Sequence, residues 1–191
     1  MLAVMFLLGT CQLASGVTIT FDEFPADNSN GSMPSSRYNY LGVTISGTDD
    51  GSTLGGLSNG NPGNWGLEGT NGPFFSGFNG SSYTNTLTLI SGGSIYSFSL
   101  DVSRSNGSAD TNTFTIEGYT NNVLTESVTV PLHTINEWTT VSLNSVVDEV
   151  KWFGTGSGFH PFGVDNLNFQ IPEPTGLGML LAGSLLLMRR K

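Results

Sequence analysis

The chain has 191 residues, 37% of them apolar and only 11% charged, with 26 Gly, 12 Phe and 3 Trp. That length allows one domain plus terminal signals, and the abundance of glycine, serine, threonine and asparagine favours strands and turns over helices. Three of the six basic residues stand at the extreme C-terminus, so residues 17–171 carry three basic and fourteen acidic groups; such a surface repels phosphate backbones and sets nucleic acid aside as a partner.

Residues 1–16 open with the apolar run Leu2 to Leu8 and end in small residues. They read as a signal peptide cut by signal peptidase after Gly16, with Ala14 and Gly16 as the small residues it requires. No positive n-region precedes the run, and a start upstream of Met1 would supply one. "LLGTC" approaches a lipoprotein signal, although Thr10 fits that pattern poorly, and a buried strand or helix of the domain is the other reading. Cys11 is the only cysteine, so no intramolecular disulfide is available.

Nine strand signals follow in chain order. They are "VTITF" (17–21), "YLGVTIS" (40–46), "TLTLI" (86–90), "YSFSLDVS" (96–103), "TFTIEGY" (113–119), "VLTESVTV" (123–130), "WTTVSL" (138–143), "VDEVKWF" (147–153) and "FGVDNLNF" (162–169). Each alternates apolar and polar residues with period two, and no helical period of ten residues or more occurs before position 176. Five Asn-Gly pairs, at 30, 59, 71, 79 and 106, suit turns that need positive φ. The expected fold is all-β: an antiparallel β-sandwich or jelly roll over residues 17–170. The Gly- and Asn-rich stretch 48–82 is either an excursion over one end of the sandwich or a set of short irregular strands.

The site candidates are few. If Leu167 and Phe169 face the core, strict alternation sends Asp165 inward as well, where a carboxylate must be paired, hydrogen-bonded or metal-bound. The plain reading is that Asp165 accepts backbone amides, as Asp-Asn sequences do. Flat aromatics near amides stack on sugar rings, so Trp65 beside Asn61 and Asn64, together with Phe74, Phe75, Phe78, Phe159, His160 and Phe162, form a candidate ligand site; the plain reading is that such rings plug the ends of the sandwich. Trp138 and Trp152 sit in strand patterns and are expected in the core. His133 and His160 have no zinc-ligand spacing, and neither a nucleophile elbow nor a phosphate loop occurs, so the domain reads as non-enzymatic. A pair of glutamates in a glycan-active enzyme is the alternative.

The C-terminus reads "IPEPTGLGMLLAGSLLLMRRK" (171–191). Residues 175–188 suit a short transmembrane helix, and Arg189, Arg190 and Lys191 form a basic stop that stays cytoplasmic. The competing assignment is a core helix, but only Ser184 breaks its apolar surface. Pro172, Glu173 and Pro174, followed by this helix and its basic tail, resemble the PEP-CTERM sorting signal of Gram-negative bacteria. That resemblance implies tethering at the inner membrane and processing by an exosortase. The chain would then reach the cell surface or an extracellular polysaccharide matrix.

"ITFDEFP" and "FGVDNLNF", with "VSRSNGSADTNTFTIEGY" and "FGTGSGFHPFGVDNLNF", resemble secreted PEP-CTERM proteins whose jelly-roll domain is likened to carbohydrate-binding modules. This second resemblance implies a polysaccharide partner. It also implies a structural calcium ion tying the first strand to the last through Asp165 and one of Asp22 and Glu23. A purely structural matrix protein with no ligand site is the alternative.

Overall fold

The computed structural model describes residues 14–20, 36–49, 52–53, 57–58, 74–77, 84–104, 113–132, 137–155 and 160–172. Among these the fold is all-β, in two antiparallel sheets. The strands are β1 (Ala14–Ile19), β2 (Val43–Asp49), β3 (Ser52–Thr53), β4 (Leu57–Ser58), β5 (Phe74–Gly77), β6 (Thr84–Leu89), β7 (Ser97–Arg104), β8 (Thr113–Thr120), β9 (Val123–Pro131), β10 (Trp138–Leu143), β11 (Glu149–Thr155) and β12 (His160–Pro172). One sheet runs β10-β7-β12-β5-β4, with β1 also on β12; the other runs β3-β2-β6-β11-β8-β9. The 13-residue β12 is long enough to serve two partners on one edge: Gly163 back to His160 pairs with β5, and Leu167 to Pro172 pairs with β1.

Period-two alternation builds the core between the sheets. Phe98, Leu100 and Val102 of β7, Val141 and Leu143 of β10, and Phe162, Val164, Leu167 and Phe169 of β12 are buried. They meet Val43, Ile45, Leu87, Leu89, Phe114, Ile116, Val150 and Trp152 from the second sheet. Aromatic pairs join the layers: Phe98 stacks near Trp152 with centroids 6.1 Å apart, and Phe114 meets Phe162 edge-on at 5.0 Å. Trp152 is core as the sequence implied, and Phe162 belongs to the packing rather than to any exposed aromatic surface.

Each of the nine sequence runs falls on a strand, with shifted ends. Tyr40 and Leu41 form a 3-10 turn before β2 rather than its start, because Gly42 turns the chain at φ +80°. The stretch 48–82 contributes short strands, β3, β4 and β5, to both sheets. All five Asn-Gly pairs lie outside the described residues. The β8–β9 hairpin instead turns on Asn121 and Asn122, both at positive φ (52° and 62°), as a tight two-residue hairpin turn demands.

Two sequence expectations are corrected. Asp165 does not point inward. Asp165 pairs with Asp101 and Asn168 with Ser99, so two residues of β12 lie opposite the single Leu100 of β7. This bulge is made by Asn166 at φ 48°, a left-handed conformation that asparagine tolerates. The extra residue resets the alternation, so Val164 and Leu167 both face the core and the Asp165–Asn166 pair lies toward the outer side. Trp138 is likewise not core. It shares the parity of Thr140 and Ser142, opposite to buried Val141 and Leu143, and is only half-buried.

β1 crosses the cleavage point expected after Gly16, since Ala14, Ser15 and Gly16 pair with Pro172, Ile171 and Gln170. Residues 1–13 of the segment read as signal peptide (1–16), and the whole of the one read as membrane helix (175–188), lie outside the described residues. No helix among the described residues is long and apolar enough to cross a membrane.

Candidate functional site

Four neighbouring strands, β1, β12, β7 and β10, present an outer face whose side chains are set by register. Thr18, Asn168, Ser99 and Ser142 stand in one row across the sheet. Gly16, Gln170 and Ser97 stand in the next row, with Asn144 just past the end of β10. In the other direction come Asp165, Asp101 and Thr140, and then Gly163, Ser103 and Trp138. The sequence folds this way because the inward partners of these small polar residues are Phe98, Leu100, Val102, Leu143 and Phe169, all at most 2% exposed.

The first two rows line a shallow groove of about 400 Å³. Its walls are hydroxyls and amides: Thr18, Ser97, Ser99, Ser142, Asn144, Asn168 and Gln170. Small side chains keep the floor low, and Val17, Phe98, Leu143 and Phe169 also line it.

Hydrogen bonds fix the polar groups in place. The Thr18 hydroxyl donates to Asn168 Oδ1 at 2.7 Å, and Asn168 Nδ2 donates to the Asn166 carbonyl at 2.7 Å. Asn166 Nδ2 donates to Asp101 Oδ2 at 2.9 Å, while the Thr140 hydroxyl donates to Asp101 Oδ1 at 2.6 Å. Asp165 Oδ1 accepts the Asn166 amide at 2.7 Å, which is the plain role the sequence offered for it. The chain of bonds crosses four strands and pre-orients acceptors and donors for a polar ligand. Trp138 sits at one end, in register with Ser103, whose side chain is wholly buried.

The opposite outer face has a different character. There Lys151 forms an ion pair with Glu149 at 2.8 Å and lies 4.4 Å from the centre of the Tyr119 ring. Tyr119 donates its hydroxyl proton to Glu117 at 2.5 Å; this bond, with burial and the charges of Glu117 and Glu149, pushes its pKa up to about 12.

Of the residues singled out in the sequence, Asp22, Glu23, Asn64, Trp65, Phe159, Glu173, Pro174, Arg189, Arg190 and Lys191 lie outside the described residues. His160 is placed at the start of β12 opposite Gly77, and Pro172 at its end opposite Ala14. Among the described residues, no group of three or more His, Cys, Asp or Glu side chains is arranged to hold a metal ion. Sequence reasoning missed Trp138, Asp101 and the Ser/Asn rows. The alternation in "YSFSLDVS" and "WTTVSL" already put Ser99, Asp101, Trp138 and Ser142 on one parity. What it lacked was the pairing of those strands with each other.

No family model matches the chain, and no curated protein matches it. Solved structures do. The chain is similar to the family 32 carbohydrate-binding module from C. perfringens NanJ in complex with galactose, at 15% identity and TM-score 0.42, covering 69% of this chain and 95% of that one. It is similar to TmCBM61 in complex with β-1,4-galactotriose at 12% identity and TM-score 0.42, over 74% of this chain and 100% of that one. It is also similar to the family 11 carbohydrate-binding module from Clostridium thermocellum in complex with a mixed-linked tetrasaccharide, at 12% identity and TM-score 0.31, over 87% and 92%.

Proposed function

We propose that the chain is an exported, non-enzymatic surface or matrix protein whose β1–β12–β7–β10 face binds polysaccharide. The observation that carries this is the groove itself: about 400 Å³, walled by hydroxyls and amides rather than charges, with Trp138 on the same face. Sugars need this combination. Their hydroxyls exchange hydrogen bonds with amides and hydroxyls, and their C–H faces pack on indole. Export and exosortase processing rest on the Pro-Glu-Pro, apolar and basic segments in that order, and on the resemblance they carry.

The test is affinity electrophoresis of the domain through gels containing neutral galactans, β-glucans, xylans or mannans, with wild type and Trp138→Ala side by side. At least one polysaccharide is expected to retard the wild type, and Trp138→Ala to weaken that binding by about tenfold, roughly one aromatic contact. Trp138→Ala should fold normally, because Trp138 lies outside the core. Failure of every polysaccharide to retard the wild type would remove the proposal.

A further inference from the structure

We infer that Glu126 is a positioning residue for the groove: from the opposite sheet it fixes Asn144 on the groove wall, so ligand affinity depends on a carboxylate outside the groove lining. This rests on the polysaccharide reading above and adds a residue which that reading does not contain. β9 and β10 are end strands of different sheets. Along β9, Val128 and Val130 turn inward and pack against the core, and Glu126 shares their parity. A carboxylate where alternation calls for an apolar side chain needs partners. It has room to reach them because its register partner on β8 is Gly118, which carries no side chain. One Glu126 oxygen spans the gap between the sheets and accepts the amides of Ser145 at 2.7 Å and Asn144 at 2.9 Å. Amide bonds to an ionised acceptor are stronger than those to a neutral one.

Asn144 is the wall residue that most needs such a hold. Thr18, Ser97, Ser99, Ser142, Asn168 and Gln170 stand on strands, where ladder pairing sets them. The β10–β7 ladder ends at Leu143 opposite Phe98, one residue before Asn144. Backbone pairing resumes only at Val147, which exchanges bonds of 3.0 and 2.6 Å with Ile95. Glu126 holds the chain between these two points. Two successive amides fixed on one oxygen pin the backbone at Asn144, and with it the side chain that lines the groove. An asparagine carboxamide offers a donor and an acceptor together, which suits neighbouring sugar hydroxyls. A loose loop would have to be ordered when ligand binds; the Glu126 bonds order it beforehand.

The experiment is a double-mutant cycle read in binding. The full chain, in non-ionic detergent, is run through gels containing galactan, β-glucan, xylan or mannan as wild type, Asn144→Ala, Glu126→Ala, Glu126→Gln and the double variant Asn144→Ala with Glu126→Ala. Asn144→Ala is expected to weaken binding about three- to tenfold, the scale of one or two neutral hydrogen bonds, and Glu126→Ala by a similar factor. Glu126→Gln keeps an acceptor oxygen and is expected to recover part of that loss. In the double variant, Glu126→Ala is expected to add less than about twofold to the loss from Asn144→Ala, because the group it positions is gone. Melting temperature confirms which variants fold; should Glu126→Ala not fold, Glu126→Gln takes its place in the cycle. Losses that multiply in the double variant would overturn the positioning role while leaving polysaccharide binding intact, as would an Asn144→Ala chain that binds as tightly as the wild type. Failure of all four polysaccharides to retard the wild type would overturn both readings.

Discussion

At the level of single residues, Gly118 shows how close the two sheets come. A Cβ built there would stand 2.6 Å from Val147 Cγ1 and 3.1 Å from Leu143 Cδ1, and Gly118 sits on the inward side of β8. A glycine inside a strand pattern marks either a bulge or a close approach, and here a register shift also falls between Gly118 and Tyr119. Gly118→Ala is therefore expected to cost about 1–3 kcal/mol through overpacking, which in a domain this size lowers the melting temperature by several degrees. Adding Val147→Ala removes the closest methyl, so the double variant should lose less stability than the two single losses combined; strictly additive losses in thermal denaturation would contradict the contact. Trp138 teaches the complementary point. Its place in a strand pattern suggests the core, but its parity with Thr140 and Ser142 decides its side of the sheet.

Among the elements, β9 is an edge strand whose outer surface is largely exposed, with Val123 at 66% and Leu124 at 49%. What secures it is partly Glu126, which reaches the loop after β10 and accepts the backbone amides of Ser145 (2.7 Å) and Asn144 (2.9 Å) through one oxygen. Burial alone would raise the Glu126 pKa, but these amide bonds outweigh it and hold the carboxyl below its usual range. A depressed carboxylate contributes stability that is complete above its unfolded pKa, about 4.3, and that disappears as pH falls through the lower folded value. Melting temperature should therefore drop below about pH 4, and Glu126→Gln should flatten part of that drop while lowering stability at pH 7; parallel curves for the two proteins would refute the linkage. The strands themselves were readable from "TFTIEGY" and "VLTESVTV", because alternation is a local signal. The bulge at Asp165–Asn166 was not, because whether an Asp-Asn inside a strand pattern is a turn, a bulge or ordinary strand depends on the partner strand. That one extra residue reversed the side assigned to Asp165, and with it the identity of the polar face.

At the scale of the whole molecule, the two ends of the described chain are neighbours. β1 pairs along its full length with the last residues of β12, from Ile19 opposite Leu167 to Ala14 opposite Pro172. The first proline of the Pro-Glu-Pro motif thus closes the sheet, and Glu173 follows directly. This arrangement has a consequence for processing. A signal-peptidase cut after Gly16 would remove three of the six β1 pairs and keep Val17, Thr18 and Ile19 against Phe169, Asn168 and Leu167. Val17 and Ile19 still reach the core, so the strand survives such a cut in its buried half. An exosortase cut, by contrast, must fall beyond Pro172 if β12 is to stay whole, and beyond Pro174 if the motif is to remain on the mature chain. The expected outcome, in cells carrying an exosortase, is a mature protein beginning near Val17 and ending between Glu173 and the apolar segment, without Arg189, Arg190 and Lys191. Intact-mass analysis of the secreted protein checks both ends at once. A C-terminus upstream of Phe169 would contradict the structural limit, because it would strip partners from the retained Val17, Thr18 and Ile19. A mature chain that still carries Lys191 would contradict processing itself.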